Sequence, residues 1–304
     1  MNHVLSFLSD LALNNSRDWF LANRPRYDEA NRRFVAFAAD YLARLSAIDP
    51  DLAALAPKDC IWRIYRDTRF SADKRPYKEW FGVFAAAPAP GRTAAATGGK
   101  KSMRGGYYVH LQPGSCMFAG GIWGPPPELL KALRQEIDAN ADEVEHIMSD
   151  PAWQRWFGDF DTDWMLKKVP AGFSPDSPHA DWLKRKAYTF STPLSDAQVC
   201  SPDFLDLVSD IARAAKPMND FLNYTFEEYG EFPLAPPANS VNSPHTGYAG
   251  FQPAVSNTMP SKSNKSNKSS KSSKSGKSSK YSKYSKYSKS SSLVNLVSLV
   301  SLVV

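Results

Sequence analysis

Cysteine is scarce in this chain of 304 residues, which contains Cys60, Cys116 and Cys200 and no CxxC pair. An odd number of widely spaced cysteines does not form a disulfide framework. Without paired Cys or His ligands a structural zinc site is not expected either. The sequence therefore predicts reduced thiols, no metal, no cofactor and a cytoplasmic location.

Export signals and long apolar runs are also lacking. Residues 1–13 have no basic stretch and contain Asp10, so they are typical of an amphipathic helix rather than a signal peptide. The apolar stretch 293–304 spans about 12 residues, whereas a transmembrane helix needs roughly 20. We therefore expect no contact with a membrane.

Acidic residues do not occur after Glu231, whereas residues 261–290 contain ten lysines. The formal net charge of +6 comes from that segment: without its ten lysines, 27 Lys and Arg face 31 Asp and Glu, a net charge of −4. A mildly acidic body argues against nucleic-acid binding, because proteins that bind the phosphate backbone do so through basic surfaces. The Lys-rich segment predicts weak, non-specific contact with polyanions.

The composition changes at Pro233 to Pro, Ser, Asn and Lys, with Ser-Lys and Tyr-Ser-Lys repeats. Such a segment buries too little apolar area to offset the entropy of the ordered chain. We therefore predict a single folded domain over residues 1–232 and a low-complexity, disordered tail over residues 233–304.

Two kinds of hydrophobic periodicity in the body predict an α+β fold. Helical spacing of apolar residues occurs over residues 25–46, 129–148 and 204–211. Strand-like composition occurs over residues 60–66, 80–87, 106–111, 116–122 and 164–169. Because the turn sequence Gln-Pro-Gly-Ser separates 106–111 from 116–122, these two strands predict a hairpin and a mostly antiparallel sheet with packed helices.

Turn-forming residues predict where these elements begin and end. Asn15 is the expected N-cap of the second helix, and Pro217 is expected to break the helix that follows Asp203. Residues 88–106 are rich in Ala, Gly and Pro and predict a long mobile loop. Ser177 with the following proline is expected to open a short basic helix.

The densest group of charged and aromatic residues is RIYRDTRFSADKRPYK, residues 63–78, with six basic groups, two carboxylates and two tyrosines. Arginine and lysine side chains beside tyrosine hydroxyls suit a phosphate or a carboxylate. The candidate ligand-binding residues here are Arg63, Tyr65, Arg66, Asp67, Arg69, Asp73, Lys74, Tyr77 and Lys78. Two alternatives stay open: an internal Arg–Asp network that fixes the loop, and acid–base catalysis by one of the aspartates.

Several motifs of the chain resemble those of one family, the domain of unknown function 2461. These motifs are NNxRxWF at residues 14–20, RxYRDxRFSxDKxPYK at 63–78, GYYVHL at 106–111, GGIW at 120–123, and PxGF through LKxK at 170–186. The resemblance covers about residues 3–230 and implies a soluble domain of bacterial or fungal type with no assigned activity. The segment of residues 88–104 is longer than in the family pattern, and the tail lies outside that pattern. The resemblance therefore implies nothing about the structure or function of either segment.

The resemblance includes the later basic segment, so it adds His179, Lys184 and Lys186 to the predicted anion site. Three functions then remain open. The protein is a binder, or an enzyme, for a small anionic ligand; or a non-catalytic structural or interaction module whose charged cluster is internal; or a nucleic-acid accessory protein.

The predicted domain boundary can be tested by truncation. A chain ending at residue 232 should unfold in the same cooperative thermal transition as the full chain, because residues 233–292 show neither helical nor strand periodicity. Differential scanning calorimetry of the two chains measures this. Loss of the cooperative transition in the shorter chain would refute the boundary.

Overall fold

Eleven α-helices and one four-stranded antiparallel sheet make up the part of the chain that the structure describes, which confirms the predicted α+β class. The structure is a computed structural model and describes residues 1–69, 71–230 and 232. The predicted tail, residues 233–304, lies outside the described residues.

The elements follow one another in this order. The helices are α1 Asn2–Leu13, α2 Arg17–Ala22, α3 Arg24–Ile48, α4 Pro57–Cys60, α5 Ala94–Thr97, α6 Pro127–Ala139, α7 Ala141–Ser149, α8 Pro151–Trp156, α9 Ala180–Leu183, α10 Asp196–Cys200 and α11 Phe204–Tyr229. The strands are β1 Phe81–Ala86, β2 Gly106–Leu111, β3 Cys116–Ile122 and β4 Tyr188–Leu194. The order in the sheet is β1-β2-β3-β4, and the hairpin predicted from the Gln-Pro-Gly-Ser turn is β2–β3.

The main hydrophobic core lies on one face of the sheet. Val83, Val109 and Phe118 are paired across three neighbouring strands and belong to the cluster that includes the apolar sides of α1, α3 and α11. The opposite face carries a smaller cluster in which Phe84 and Tyr108 are buried. This alternation follows from the two-residue period of a strand. None of the described helices combines the length and hydropathy needed to cross a bilayer.

Pro217 does not break the last helix, contrary to the sequence prediction. It lies inside α11, which has 26 residues in all and continues past the proline to Tyr229. A proline inside a helix removes one backbone hydrogen bond and costs about 3 kcal/mol. The neighbouring Ala215 and Met218 are fully buried, so packing on both sides of the proline offsets that cost.

Other predicted boundaries also differ from the structure. Residues 60–66 and 164–169 are not strands, because they make only isolated bridges with Val83, Tyr77 and Arg185. The predicted helix over 129–148 is divided at Asn140 into α6 and α7. The loop over 88–106 contains α5 and a 3-10 turn, Gly99–Lys101.

Strand β4 was not predicted at all. Its sequence, YTFSTPL, includes Pro193, which argues against a central strand. In the described part of the chain β4 pairs on one side only, with β3, and an edge strand tolerates proline because one side of its backbone needs no partner.

Two asparagines of α11 hold the helix against the glycine-rich ends of β2 and β3. Asn219 accepts a hydrogen bond from the Gly121 N–H at 2.9 Å and donates one to the Gly106 carbonyl at 3.0 Å. Asn223 pairs in the same way with Gly105, at 2.7 and 3.1 Å. A Cβ added at Gly105 would lie 3.1 Å from Asn219 Oδ1, whereas one added at Gly106 or Gly121 would collide with the backbone of a neighbouring strand.

Gly121 should therefore tolerate substitution poorly. Its φ is +89°, and a Cβ added there would lie 2.0 Å from the Tyr188 carbonyl oxygen. Gly121→Ala should lower the free energy of unfolding by about 3 kcal/mol or more, from backbone strain and steric overlap together. Urea denaturation measures this change.

Gly114→Ala is the matched control, because Gly114 has a φ of +71° but nothing within 4 Å of an added Cβ. It should cost about 1 kcal/mol from backbone conformation alone. Equal losses in the two variants would contradict the steric argument.

Candidate functional site

Residues 64–66 and 76–78 form a minimal antiparallel hairpin, here called the motif hairpin. Tyr65 and Tyr77 are bridge partners, the Arg66 N–H donates to the Pro76 carbonyl at 2.9 Å, and the Lys78 N–H donates to the Ile64 carbonyl at 2.7 Å. Ile64 is buried in the main core, so it anchors the hairpin to the body. Of the loop that closes the hairpin, residue 70 lies outside the described residues.

Asn15 holds this hairpin and does not cap α2, contrary to the sequence prediction. Its Nδ2 donates to the Tyr77 carbonyl at 3.0 Å and to Glu79 Oε1 at 2.9 Å, while its Oδ1 accepts from the Tyr77 N–H at 3.2 Å. The cap of α2 is Ser16, whose Oγ accepts from the Trp19 N–H at 3.3 Å. Asn15 thus joins the α1–α2 junction to the motif hairpin.

A groove with a volume of about 360 Å³ lies between α2 and the motif hairpin. Its lining residues are Arg17, Leu21, Tyr65, Arg66, Thr68, Pro76 and Tyr77. Of the residues predicted to bind a ligand, Tyr65, Arg66 and Tyr77 are brought together here. Arg17 and Leu21 were missed, although Arg17 belongs to the family-like motif at residues 14–20.

The two arginines of the groove have few partners within the protein. Arg66 Nη1 donates to Asp73 Oδ2 at 2.5 Å, and its side chain is 25% exposed. A guanidinium has five N–H donors, and this is the only hydrogen bond that the Arg66 guanidinium makes with the described residues. Arg17 is exposed and makes no side-chain hydrogen bond or ion pair within the described part of the chain.

The two tyrosines are held by stacked rings. Tyr77 is buried and stacks on Phe20 with ring centroids 4.0 Å apart, and Tyr65 lies 5.5 Å from Tyr77. Burial, and then the neighbouring Tyr65, raise the pKa of Tyr77, while the positive charges of Arg17 and Arg24 oppose this. The Tyr77 hydroxyl therefore stays protonated at neutral pH and is able to donate a hydrogen bond.

The carboxylates of the loop are paired with arginines. Asp67 accepts two bonds from Arg69, at 3.0 and 2.6 Å, which lower its pKa to about 2. Asp73 accepts from Arg75 and from Arg66, and these bonds hold its pKa far below the ordinary value. A carboxylate that ionises so readily is a weak base at neutral pH, so neither aspartate is suited to general base catalysis.

The two lysines of the segment bind backbone carbonyls. Lys74 Nζ donates to the Thr68 carbonyl at 3.0 Å. Lys78 Nζ donates to the Arg63 carbonyl at 2.6 Å and to that of Tyr65 at 3.4 Å, and it lies 5.3 Å from the centre of the Trp80 ring. Both lysines brace the hairpin and its loop and do not line the groove.

The later basic segment is not brought to the groove. His179 stacks on Trp182 at 4.6 Å, and Lys184 pairs with Asp181 at 2.8 Å. The backbone of Lys186 bonds to Trp164 at 2.8 Å and leads into β4. The chain on both sides of the motif hairpin leads to β1: Ile61 before it bridges to Val83, and β1 itself begins at Phe81. The strands β1 and β4 are the two ends of the strand order, so the topology separates these predicted residues.

Metal-binding residues are not assembled in the described residues, where no group of three or more His, Cys, Asp or Glu side chains could hold an ion. All three cysteines are free thiols. The chemistry that the groove offers is therefore hydrogen bonding and positive charge, from guanidinium and phenol groups.

The environment of Lys78 predicts how stability depends on pH. Burial, and then the charges of Arg63 and Arg66, lower the pKa of its amine from 10.5 to about 8. Between these values the unfolded chain binds more protons than the folded one, so stability should rise with pH from about 8 to 10.5 and should not change further with this group below about 8. Urea denaturation at pH 7.5 and pH 10 should show that wild type gains stability relative to Lys78→Met. A parallel change in both proteins would contradict the assignment.

Comparison with known proteins gives one match. No curated protein and no solved structure matches the chain. A protein family described as a conserved hypothetical protein, DUF2461, matches residues 3–221. This range includes every residue that lines the groove. Since the match spans well over half of the sequence, the chain belongs to the DUF2461 family.

Proposed function

We propose that this protein binds a small anionic ligand, bearing a phosphate or a carboxylate, in the groove between α2 and the motif hairpin. The observation that carries the proposal is that Arg17 and Arg66 line the same groove while most of their N–H donors lack partners among the described residues. A guanidinium presents its donors in a fixed fork that matches two oxygens of a phosphate or carboxylate.

The surroundings of these arginines support an anion rather than a cation or a neutral ligand. The positive charge of Arg24 acts to lower the pKa of Tyr77, although Arg24 is also paired with Asp28 at 2.8 Å. The Tyr77 hydroxyl adds a neutral donor beside the arginines. Charge-assisted hydrogen bonds from such a set are roughly twice as strong as those between neutral groups.

The alternative of an internal ion network accounts for a different part of the cluster. Asp67 with Arg69, and Asp73 with Arg75, pair within the loop, and Arg75 also pairs with Glu79. These contacts position the loop and explain why their members do not line the groove. Arg66 belongs both to the ion network of the loop and to the groove, because its guanidinium pairs with Asp73 while the residue lines the groove. The proposed ligand-binding residues are thus Arg17, Tyr65, Arg66 and Tyr77.

The proposed function is ligand binding, and no catalysed reaction is part of it. The loop aspartates are ionised and paired, and His179 lies with the later basic segment. Nucleic-acid binding is less well supported, since a polyanion is held by a basic surface that follows its backbone, whereas this groove is one local concavity. A cytoplasmic location, consistent with the free thiols, stays part of the proposal.

Substitution of Arg17 is the direct test. Arg17→Gln should weaken binding of inorganic phosphate about tenfold or more at low ionic strength, while the melting temperature changes by less than about 2 °C, because the Arg17 side chain is exposed and makes no hydrogen bond or ion pair with the described residues. NMR titration with inorganic phosphate gives the affinity, and calorimetry gives the melting temperature.

Arg63→Gln is the matched control, since Arg63 is an exposed arginine of the same segment that does not line the groove. It should change neither the affinity for inorganic phosphate nor the melting temperature. Arg66→Lys should weaken binding through loss of the forked geometry, and Asp67→Asn should leave binding nearly unchanged. If Arg66→Lys and Asp67→Asn both destabilise the fold strongly while phosphate binding is unaffected in every variant, the cluster is an internal network and the proposal is wrong.

A further inference from the structure

The groove is larger than the anionic group that its arginines would hold. At about 360 Å³ it falls within the range of pockets that enclose whole organic ligands, roughly 300–1,000 Å³. A bare phosphate or carboxylate would occupy only part of this space. The rest of the groove therefore has to be filled by the remainder of the ligand or by water.

The walls of that remaining space are apolar. Leu21 is 67% exposed and Tyr65 is 44% exposed. They are two of the five large hydrophobic side chains that lie exposed in the described residues, the others being Leu13, Trp164 and Tyr229. Both line this groove, together with Pro76. Clustered exposed apolar side chains mark places where another apolar group binds.

An array of aromatic rings ends at the groove. Phe20 stacks on Tyr77 at 4.0 Å, Tyr77 lies 5.5 Å from Tyr65, and Phe20 lies 6.1 Å from Tyr65. Phe20 and Tyr77 are buried, whereas the Tyr65 ring is the exposed last member. Aromatic rings 4.5–7 Å apart attract each other beyond the effect of buried area, so a further ring on Tyr65 would continue the array.

Resting on the proposed function, we infer that the ligand is an aryl anion, a small molecule in which an aromatic ring carries a phosphate or carboxylate. Arg17 and Arg66 take the anionic group, and the ring packs between Leu21 and Tyr65. A polar anion such as a sugar phosphate satisfies the arginines but leaves the apolar wall in water. A neutral ring covers the wall but leaves most N–H donors of the two guanidinium groups without a partner among the described residues.

The test compares four probes with the full-length protein: phenyl phosphate, benzoate, inorganic phosphate and glycerol 3-phosphate. Phenyl phosphate should bind at least about tenfold more tightly than inorganic phosphate or glycerol 3-phosphate, because the ring buries apolar surface on both sides. Benzoate shows whether the carboxylate or the phosphate is the preferred anionic group. Isothermal titration calorimetry measures all four affinities.

The ring subsite is tested with Leu21→Ala, which should fold normally because Leu21 is largely exposed. This variant should lose most of the preference for phenyl phosphate while its affinity for inorganic phosphate stays the same. Leu13→Ala is the matched control, since Leu13 is 83% exposed and lies outside the groove. It should keep the affinities of wild type for both probes.

The outcomes separate this inference from the proposed function. Equal affinities for phenyl phosphate, inorganic phosphate and glycerol 3-phosphate would overturn the aryl ligand while leaving anion binding intact. So would a preference for phenyl phosphate that Leu21→Ala does not reduce. Absence of binding by all four probes would overturn both.

Discussion

The groove depends on the pair of hydrogen bonds between the Asn15 side chain and the backbone of Tyr77. The asparagine amide donates to the carbonyl and accepts from the N–H of the same residue, as a neighbouring strand would. A hairpin with a single bridge pair is marginal by itself. Asn15 precedes α2, which begins at Arg17, so the same contact that holds the hairpin also brings Arg17 to the groove that Arg66 lines. Residues far apart in sequence thus share one groove through one amide group.

The ion pairs of the loop have a more limited role. They are exposed or half-exposed, and solvent screening makes pairs of this kind contribute little to stability. Asp67 and Arg69, and Asp73 and Arg75, are only two residues apart, so these pairs fix local loop conformation rather than the fold. The fold itself is held by the buried sheet and by α3 and α11, whose apolar sides meet in the main core. The loop ion pairs are thus peripheral to the interactions that hold the fold.

Sequence patterns within a short segment correctly predicted those helices and strands that depend mainly on that segment. The helix over residues 25–46 and the β2–β3 hairpin follow from periodicity and a turn sequence, and the structure has both. The role of Asn15, the β4 strand and the continuity of α11 through Pro217 depend on partners distant in sequence, so composition gave no sign of them. For the same reason the motif at 63–78 contains three of the residues that line the groove, Tyr65, Arg66 and Tyr77, whereas the placement of Arg17 at the groove, and of Lys184 and Lys186 away from it, follows only from the topology.

The charge balance around the motif hairpin differs from that of the acidic body. Asp67, Asp73 and Glu79 are already bonded to arginines, and Asp73 serves both Arg66 and Arg75. Lys74 and Lys78 bond to backbone carbonyls, which carry no net charge. More cations than carboxylates therefore converge here, although the first 260 residues carry 31 acidic groups against 27 basic ones. An anion bound between Arg17 and Arg66 would supply the counter-charge that the surrounding side chains do not.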